Sequence, residues 1–273
     1  MGTIEVRGAS IEFAWLPVSD KKSDRLARPP IVFLHHGFGS VADWKAYPEK
    51  VVKATGLPGL VYSRRGCGRS SPLLSARDTT YLHEEAQRWL PAILDTVGIG
   101  QCHLYGHSDG ATIALLFAAA FPNRAASAVV EAPHVFAEDL TLRGVAALTK
   151  RYEEDVSVRE KLARYHRDAE HAFNAWSRAW LLPQFRDWSI SDELERLKLP
   201  LLVIQGSADP FGSTEHARRI RECTGQLTSM LELSKCGHNP HIEAECDTLR
   251  AVVDFFSARD RVAQRNSPRV RVC

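Results

Sequence analysis

Gly106-His107-Ser108-Asp109-Gly110 is the stretch of this chain best suited to covalent chemistry. A serine on a very tight strand-to-helix turn is pushed clear of the backbone. Such a turn needs small residues two before and two after the serine, because side chains there would meet neighbouring backbone. An apolar run ends at Tyr105 and an all-round apolar pattern begins at Ala111, so the motif has the flanks this chemistry requires. The helix that follows aims its free N–H groups at the place where negative charge would develop.

A serine hydroxyl is a poor nucleophile until a base takes its proton. His238, in Lys235-Cys236-Gly237-His238-Asn239, follows the last apolar strand pattern. Asp209, in Gln205-Gly206-Ser207-Ala208-Asp209-Pro210, follows the one before it. The chain order Ser108, Asp209, His238 suits a nucleophile, an orienting acid and a base gathered beyond the carboxyl ends of parallel strands. His241 is the rival base and Glu131 the rival acid. Two backbone N–H groups are expected to hold a developing oxyanion, one from Asp109 and one from Phe38 in His36-Gly37-Phe38-Gly39.

The elements that must position these residues are legible as patterns. Residues 4–6 and 11–15 alternate around Arg7-Gly8-Ala9-Ser10 and predict an N-terminal hairpin. Short apolar runs at 31–35, 60–62, 103–105, 129–130, 201–205 and 230–233 read as strands buried on both faces. Helical spacing appears at 82–97, 111–121, 215–223 and 244–256, and a charged, Pro-ended loop is expected at 20–30. The alternation predicts an α/β fold, a mostly parallel central sheet with helices on both faces. Residues 138–195 break the rhythm. They are helical in composition and carry Phe173, Trp176, Trp180 and Trp188 as aromatic anchors. They are read as a helical cap inserted into a core domain of residues 1–137 and 196–258, with 259–273 as a basic, frayed tail.

With these motifs in place, the chain resembles the α/β-hydrolase superfamily. The likeness rests on His36-Gly37-Phe38-Gly39, Arg64-Arg65-Gly66-Cys67-Gly68-Arg69-Ser70, Gly106 to Gly110, Gly206 to Asp209, and Gly237-His238, spread over most of the chain in the superfamily's order. It implies an esterase-like serine hydrolase with Ser108, Asp209 and His238 as catalytic residues and Phe38 and Asp109 as oxyanion donors. It implies no cofactor. Serine at 108 speaks against the branches whose nucleophile is aspartate. One departure is Ser63, where the Arg-Gly-x-Gly-x-Ser stretch is more usually preceded by aspartate. Ser108-Asp109-Gly110 is also similar to valacyclovir-hydrolase-type enzymes, which implies recognition of a substrate amine by Asp109. The alternative is a carboxylate stabilised by the helix dipole.

The expected function is therefore hydrolysis of small-molecule carboxylic esters. Other reactions on the same triad are carbon–carbon bond cleavage, lactone opening and perhydrolysis. A ligand-binding or receptor protein with negligible turnover is the reading from a different class. Trp44, His134, Trp176 and Trp180 are candidate pocket residues, with core packing as the alternative for each.

Composition bounds the rest. Over 273 residues the chain is 44% hydrophobic and 25% charged, which excludes disorder and collagen-like repeats. Lys+Arg 35 against Asp+Glu 33 leaves a net charge of +2, too even to argue for nucleic acid or an anionic membrane. Apolar runs such as 114–121 are far short of the roughly 20 residues of a membrane span. Six cysteines without a C-x-x-C pair, and no signal peptide, are expected to be reduced thiols in a cytoplasm. Cys67 and Cys236 lie near the site loops but read as small buried hydrophobes. No metal is expected: His35-His36 need not face one site, and His238-x-x-His241 has no obvious third ligand. The expected partner is a small-molecule ester, with no nucleic acid and no membrane, and a homodimer is left open.

Overall fold

The computed structural model describes residues 1–18 and 28–266. Eight strands form one sheet: β1 (Gly2–Val6), β2 (Ala9–Leu16), β3 (Ile31–Leu34), β4 (Gly59–Tyr62), β5 (Cys102–His107), β6 (Ala125–Glu131), β7 (Leu201–Gly206) and β8 (Thr228–Leu233). Their spatial order is β1-β2-β4-β3-β5-β6-β7-β8. β1 and β2 make the expected hairpin and join β4 antiparallel; every other pairing is parallel. Every residue of β3, β4, β5 and β7 is buried, which is why these strands read as unbroken apolar runs and not as alternation.

One face is covered by α1 (Tyr47–Thr55) and α11 (Glu245–Asn266). Val51 and Val52 meet Val252, Phe255 and Phe256 in a core under that face. The other face carries α2 (Tyr81–Glu84), α3 (Leu90–Thr96), α4 (Asp109–Ala120), α8 (Ser191–Leu194) and α9 (Glu215–Thr224) over a second, larger core. A π-helical turn, Glu85–Trp89, joins α2 to α3 just before Pro91, whose ring nitrogen has no proton for the regular ladder. α4 is apolar all round because it is buried from Asp109 to Ala118. The irregular stretch holds α5 (Asp139–Glu154), α6 (Val156–Ala163), α7 (Ala169–Trp180) and α8. Among the described residues its only β-pairing is an isolated bridge between Phe136 and Ser189. α10 (Pro240–Glu243) precedes α11.

Two expectations need adjusting. The sequence reading leaves residues 47–55 without an element, yet Pro48 at the start and Gly56 at the end, with φ of 67°, frame α1. α11 runs on to Asn266, so the first part of the basic tail is helical; residues 267–273, and most of the loop expected at 20–30, lie outside the described residues. Among the described residues no helix is long and apolar enough to cross a membrane.

The crossing of α4 over β3 and β5 explains both glycines of the motif. A Cβ on Gly110 would stand 2.0 Å from the carbonyl oxygen of Leu34, and one on Gly106 would stand 2.2 Å from the carbonyl oxygen of Gly110. Both obstacles are backbone and cannot rotate away. Gly110→Ala is expected to destabilise the fold by about 3 kcal/mol or more, read as a lower urea midpoint. An unchanged midpoint would show that α4 can lift off β3.

Candidate active site

Because β3, β5, β6, β7 and β8 run parallel, the loops after them open on one edge of the sheet. Ser108 follows β5 directly, with φ 55° and ψ −120°. A non-glycine residue there is strained, and the strain is held by two anchors. Its N–H donates to Glu131 O at 2.9 Å, and its carbonyl accepts from Ala111 and Thr112 in the first turn of α4.

The three separated residues meet at this edge. The Ser108 hydroxyl lies 2.9 Å from Nε2 of His238. Nδ1 of the same ring lies 2.8 Å from Oδ2 and 2.9 Å from Oδ1 of Asp209. Asp209 also accepts from Phe211 N–H at 2.8 Å and from Gln205 Nε2 at 3.0 Å. Burial alone would raise the Asp209 carboxyl. The facing imidazole and these hydrogen bonds outweigh it and hold the group down at about 2. An ionised acid behind Nδ1 fixes the tautomer that leaves Nε2 free to accept the serine proton.

The rival acid and base are paired with each other. Glu131, at the end of β6, accepts from both the N–H and Nδ1 of His241, at 2.8 and 2.7 Å, and from the Tyr105 hydroxyl at 2.8 Å. Burial would raise Glu131, but His241 wins and holds it at about 2. His107 stands beside this pair, and its Nε2 lies 2.8 Å from the carbonyl oxygen of His238. His107, Glu131 and His241 bring ligand-type atoms within 4.8 Å of one another. Each is already committed to a protein hydrogen bond, so the cluster is accounted for as a brace under the His238 loop.

The expected oxyanion donors flank the serine. Asp109 is the first residue of α4, where a helix leaves N–H groups unsatisfied, and Phe38 lies in the loop after β3. Both residues line a cavity of about 410 Å³ that also takes in Ser108 and His238. The side formed by α5, α6 and α7 is largely apolar, including Leu148, Phe173 and Trp176, and also carries Arg151 and Lys161. The Asp109 side chain is 1% exposed. Its Oδ2 accepts from the Tyr81 hydroxyl at 2.6 Å and lies 3.9 Å from the buried Arg64 guanidinium, and its Oδ1 accepts from Trp180 Nε1 at 3.3 Å.

The pocket candidates divide. Trp176, Trp180 and His134 line the cavity. Trp176 also presses on the loop after β3: a Cβ on Gly37 would lie 2.1 Å from its indole. His134 Nε2 is 3.0 Å from Phe211 O, and burial lowers the ring to about 4, so it is neutral near pH 7. Trp44 does not line the cavity. It packs between Phe33, Tyr105 and His241 in the core under α1 and α11, because the loop carrying it folds back onto that face. Burial raises the Cys67 thiol and pushes Cys236 up to about 11, so neither is a thiolate near neutral pH.

Sequence reasoning missed Arg64, Tyr81 and Gln205, and it missed the source of the carboxylate at the Ser63 turn. Ser63 Oγ donates to Glu12 Oε2 at 2.8 Å, and Arg69 N–H donates to the same oxygen at 2.9 Å. Glu12, on β2, thus brings to this turn the acid that position 63 lacks.

A family model described as the alpha/beta hydrolase fold matches residues 29–164. The chain belongs to the α/β-hydrolase superfamily. It is 23% identical over 258 residues to the 2-hydroxy-6-oxo-6-phenylhexa-2,4-dienoate hydrolase of Comamonas testosteroni, covering 84% of this chain and 88% of that one. It is 20% identical over 274 residues to the proline iminopeptidase of Lactobacillus delbrueckii subsp. lactis, covering 85% and 92%. Among solved structures, the enol-lactonase of Burkholderia xenovorans LB400 superposes with a TM-score of 0.72 at 17% identity, over 93% of this chain and 99% of the other.

The Asp209 shift has a consequence for stability. The folded value lies below the ordinary one near 3.8, so the carboxylate's contribution is fully present above about pH 4 and is lost as pH falls toward about 2. In Asp209→Asn the acid limb of the unfolding free energy should be shallower by about 2 kcal/mol between those values. Denaturant titrations across that pH range measure it, and parallel limbs in the two proteins would contradict it.

Proposed function

We propose that this protein is a serine hydrolase that cleaves carboxylic esters through an acyl-enzyme. The observation that carries the reading is the unbroken chain of hydrogen bonds from Ser108 through His238 to Asp209. In the first step His238 takes the hydroxyl proton as Ser108 attacks the acyl carbon. The Phe38 and Asp109 amides hold the tetrahedral oxyanion, and Asp209 stabilises the imidazolium. His238 then gives its proton to the leaving alcohol. Water, activated by the same imidazole, releases the acid and restores the serine. Residues 138–195 act in this reading as a cap whose largely apolar inner wall, with Arg151 and Lys161 on it, receives the substrate body.

A second reading is carbon–carbon bond cleavage or lactone opening on the same residues. It is favoured by the likeness to a dienoate hydrolase and an enol-lactonase. The nucleophile and base are common to both readings, and the leaving group separates them. p-Nitrophenyl esters of graded acyl length, a lactone and a 2-hydroxy-6-oxo-dienoate should be compared on one preparation. Ester turnover is expected to exceed cleavage of the dienoate; the reverse ranking would move the assignment to the second reading. Ser108→Ala is expected to remove turnover of the preferred substrate by a factor of about 10⁴ or more while leaving the thermal midpoint unchanged. A folded, active Ser108→Ala protein would sink both readings.

The partners of Asp109 support a positioning role over amine recognition. Its charge already faces Arg64, and both oxygens carry donors. Matched esters with and without an α-amine are therefore expected to give kcat/KM values within about threefold of each other. A strong preference for the amine would restore the recognition role.

A further inference from the structure

We propose that Arg64 is the positioning residue of the oxyanion-binding loop, and that through Asp109 it ties both amide donors to one buried guanidinium. The inference rests on the reading of the Phe38 and Asp109 amides as those donors.

Arg64 follows β4 and is 1% exposed, yet its charge is not spent on a close carboxylate. Its guanidinium goes instead to three successive carbonyls of the loop after β3. Nη1 donates to His35 O at 2.6 Å, and Nη2 donates to His36 O at 2.8 Å and to Gly37 O at 3.3 Å. The last contact sets a direction. The carbonyl of Gly37 and the N–H of Phe38 belong to one peptide unit, and among the described residues no peptide bond is cis. In a planar trans peptide the C=O and N–H point opposite ways. A guanidinium that draws Gly37 O inward therefore turns Phe38 N–H outward, away from Arg64.

The loop is pinned from other sides as well. His35 Nε2 accepts from Arg64 N–H at 3.0 Å, so its Nδ1 carries the proton and donates to His36 O at 2.6 Å. Trp176 closes over Gly37 from α7. The second expected donor is reached through the counter-charge. The Asp109 carboxylate lies 3.9 Å from Nη2, and the same residue's backbone N–H opens α4. One planar cation thus contacts the loop that carries the first donor and the side chain of the residue that carries the second. Lysine has the charge but not the planar fork, and its single nitrogen cannot stand in for the two that Arg64 places on separate carbonyls.

Arg64→Lys and Arg64→Gln test the proposal on a p-nitrophenyl ester, with phenylboronic acid as a tetrahedral mimic. The expected result is a fall in kcat of about 10- to 100-fold with KM within about threefold of wild type, because the donors act on the transition state and not on the bound ester. Affinity for the boronate should fall in proportion to kcat. A role in packing alone would lower the thermal midpoint and leave kcat and boronate affinity of the folded protein intact, and that result overturns the proposal. Where Arg64→Gln does not fold, Arg64→Lys keeps a cation opposite Asp109 and carries the comparison. The crystal structure of the wild-type boronate adduct needs neither variant. A boronate oxygen is expected within hydrogen-bond range of Phe38 N, with Gly37 O still on Arg64; either contact missing overturns the proposal. Ser108→Ala separates the two levels of failure. Full turnover in that variant defeats the hydrolase reading itself, whereas an inactive Ser108→Ala beside an Arg64→Lys of wild-type kcat defeats this inference alone.

Discussion

Helix α4 lies so close to β3 that no carbon atom fits between them at Gly110, and this contact governs the geometry of the edge above. It forces the chain to leave β5 and enter α4 in a single residue, which puts Ser108 at φ 55°. The same closeness brings the first amides of α4 to the end of β3, where the loop carrying the other proposed oxyanion donor begins. Strain at one residue is sustained because the sheet and a helix buried from Asp109 to Ala118 hold both of its neighbours. The proposed nucleophile is thus positioned by the packing of two elements that contain it only at their junction.

Around that junction the charged groups are arranged in pairs that do not exchange partners. Asp209 serves His238, Glu131 serves His241, and Asp109 faces Arg64. Each acid is nearly or fully buried, so each needs its own donor or cation, and leaving one unpaired would cost more than any single contact gains. The arrangement keeps His238 from sharing its acid with a second imidazole, although four other histidine rings come close: His107 and His134 lie tilted beside His238, with His36 and His241 next to His107.

How much of this could be read from residues alone depends on how local each constraint is. The glycines around Ser108 obey a steric rule written within five positions, so the elbow was legible. The fully buried strands showed as continuous apolar runs, and the order Ser108, Asp209, His238 followed from parallel strands sharing one edge. Trp44 was not legible, since an indole after a strand end can face the cavity or the opposite core, and only the path of its loop decides. Glu131 and His241 each looked like a competitor for the site; that they satisfy one another depends on a register between β6 and α10 that no local pattern encodes. Arg64 was hidden for the same reason. It is one arginine in an arginine-rich turn, and its meaning comes from three carbonyls far away in the chain.

The turn at Ser63 carries a lesson about inheritance. A hydroxyl there leans on a carboxylate borrowed from β2, and Gly68 leaves room for it, since a Cβ would lie 2.2 Å from Glu12 Oε2. Restoring an aspartate at 63 in this protein would set two buried acids against each other, and like charges at such a distance cannot both ionise. Positions 12 and 63 are therefore coupled in this fold. Exchanging one arrangement for the other takes both changes, since either change alone leaves two acids at the turn or none.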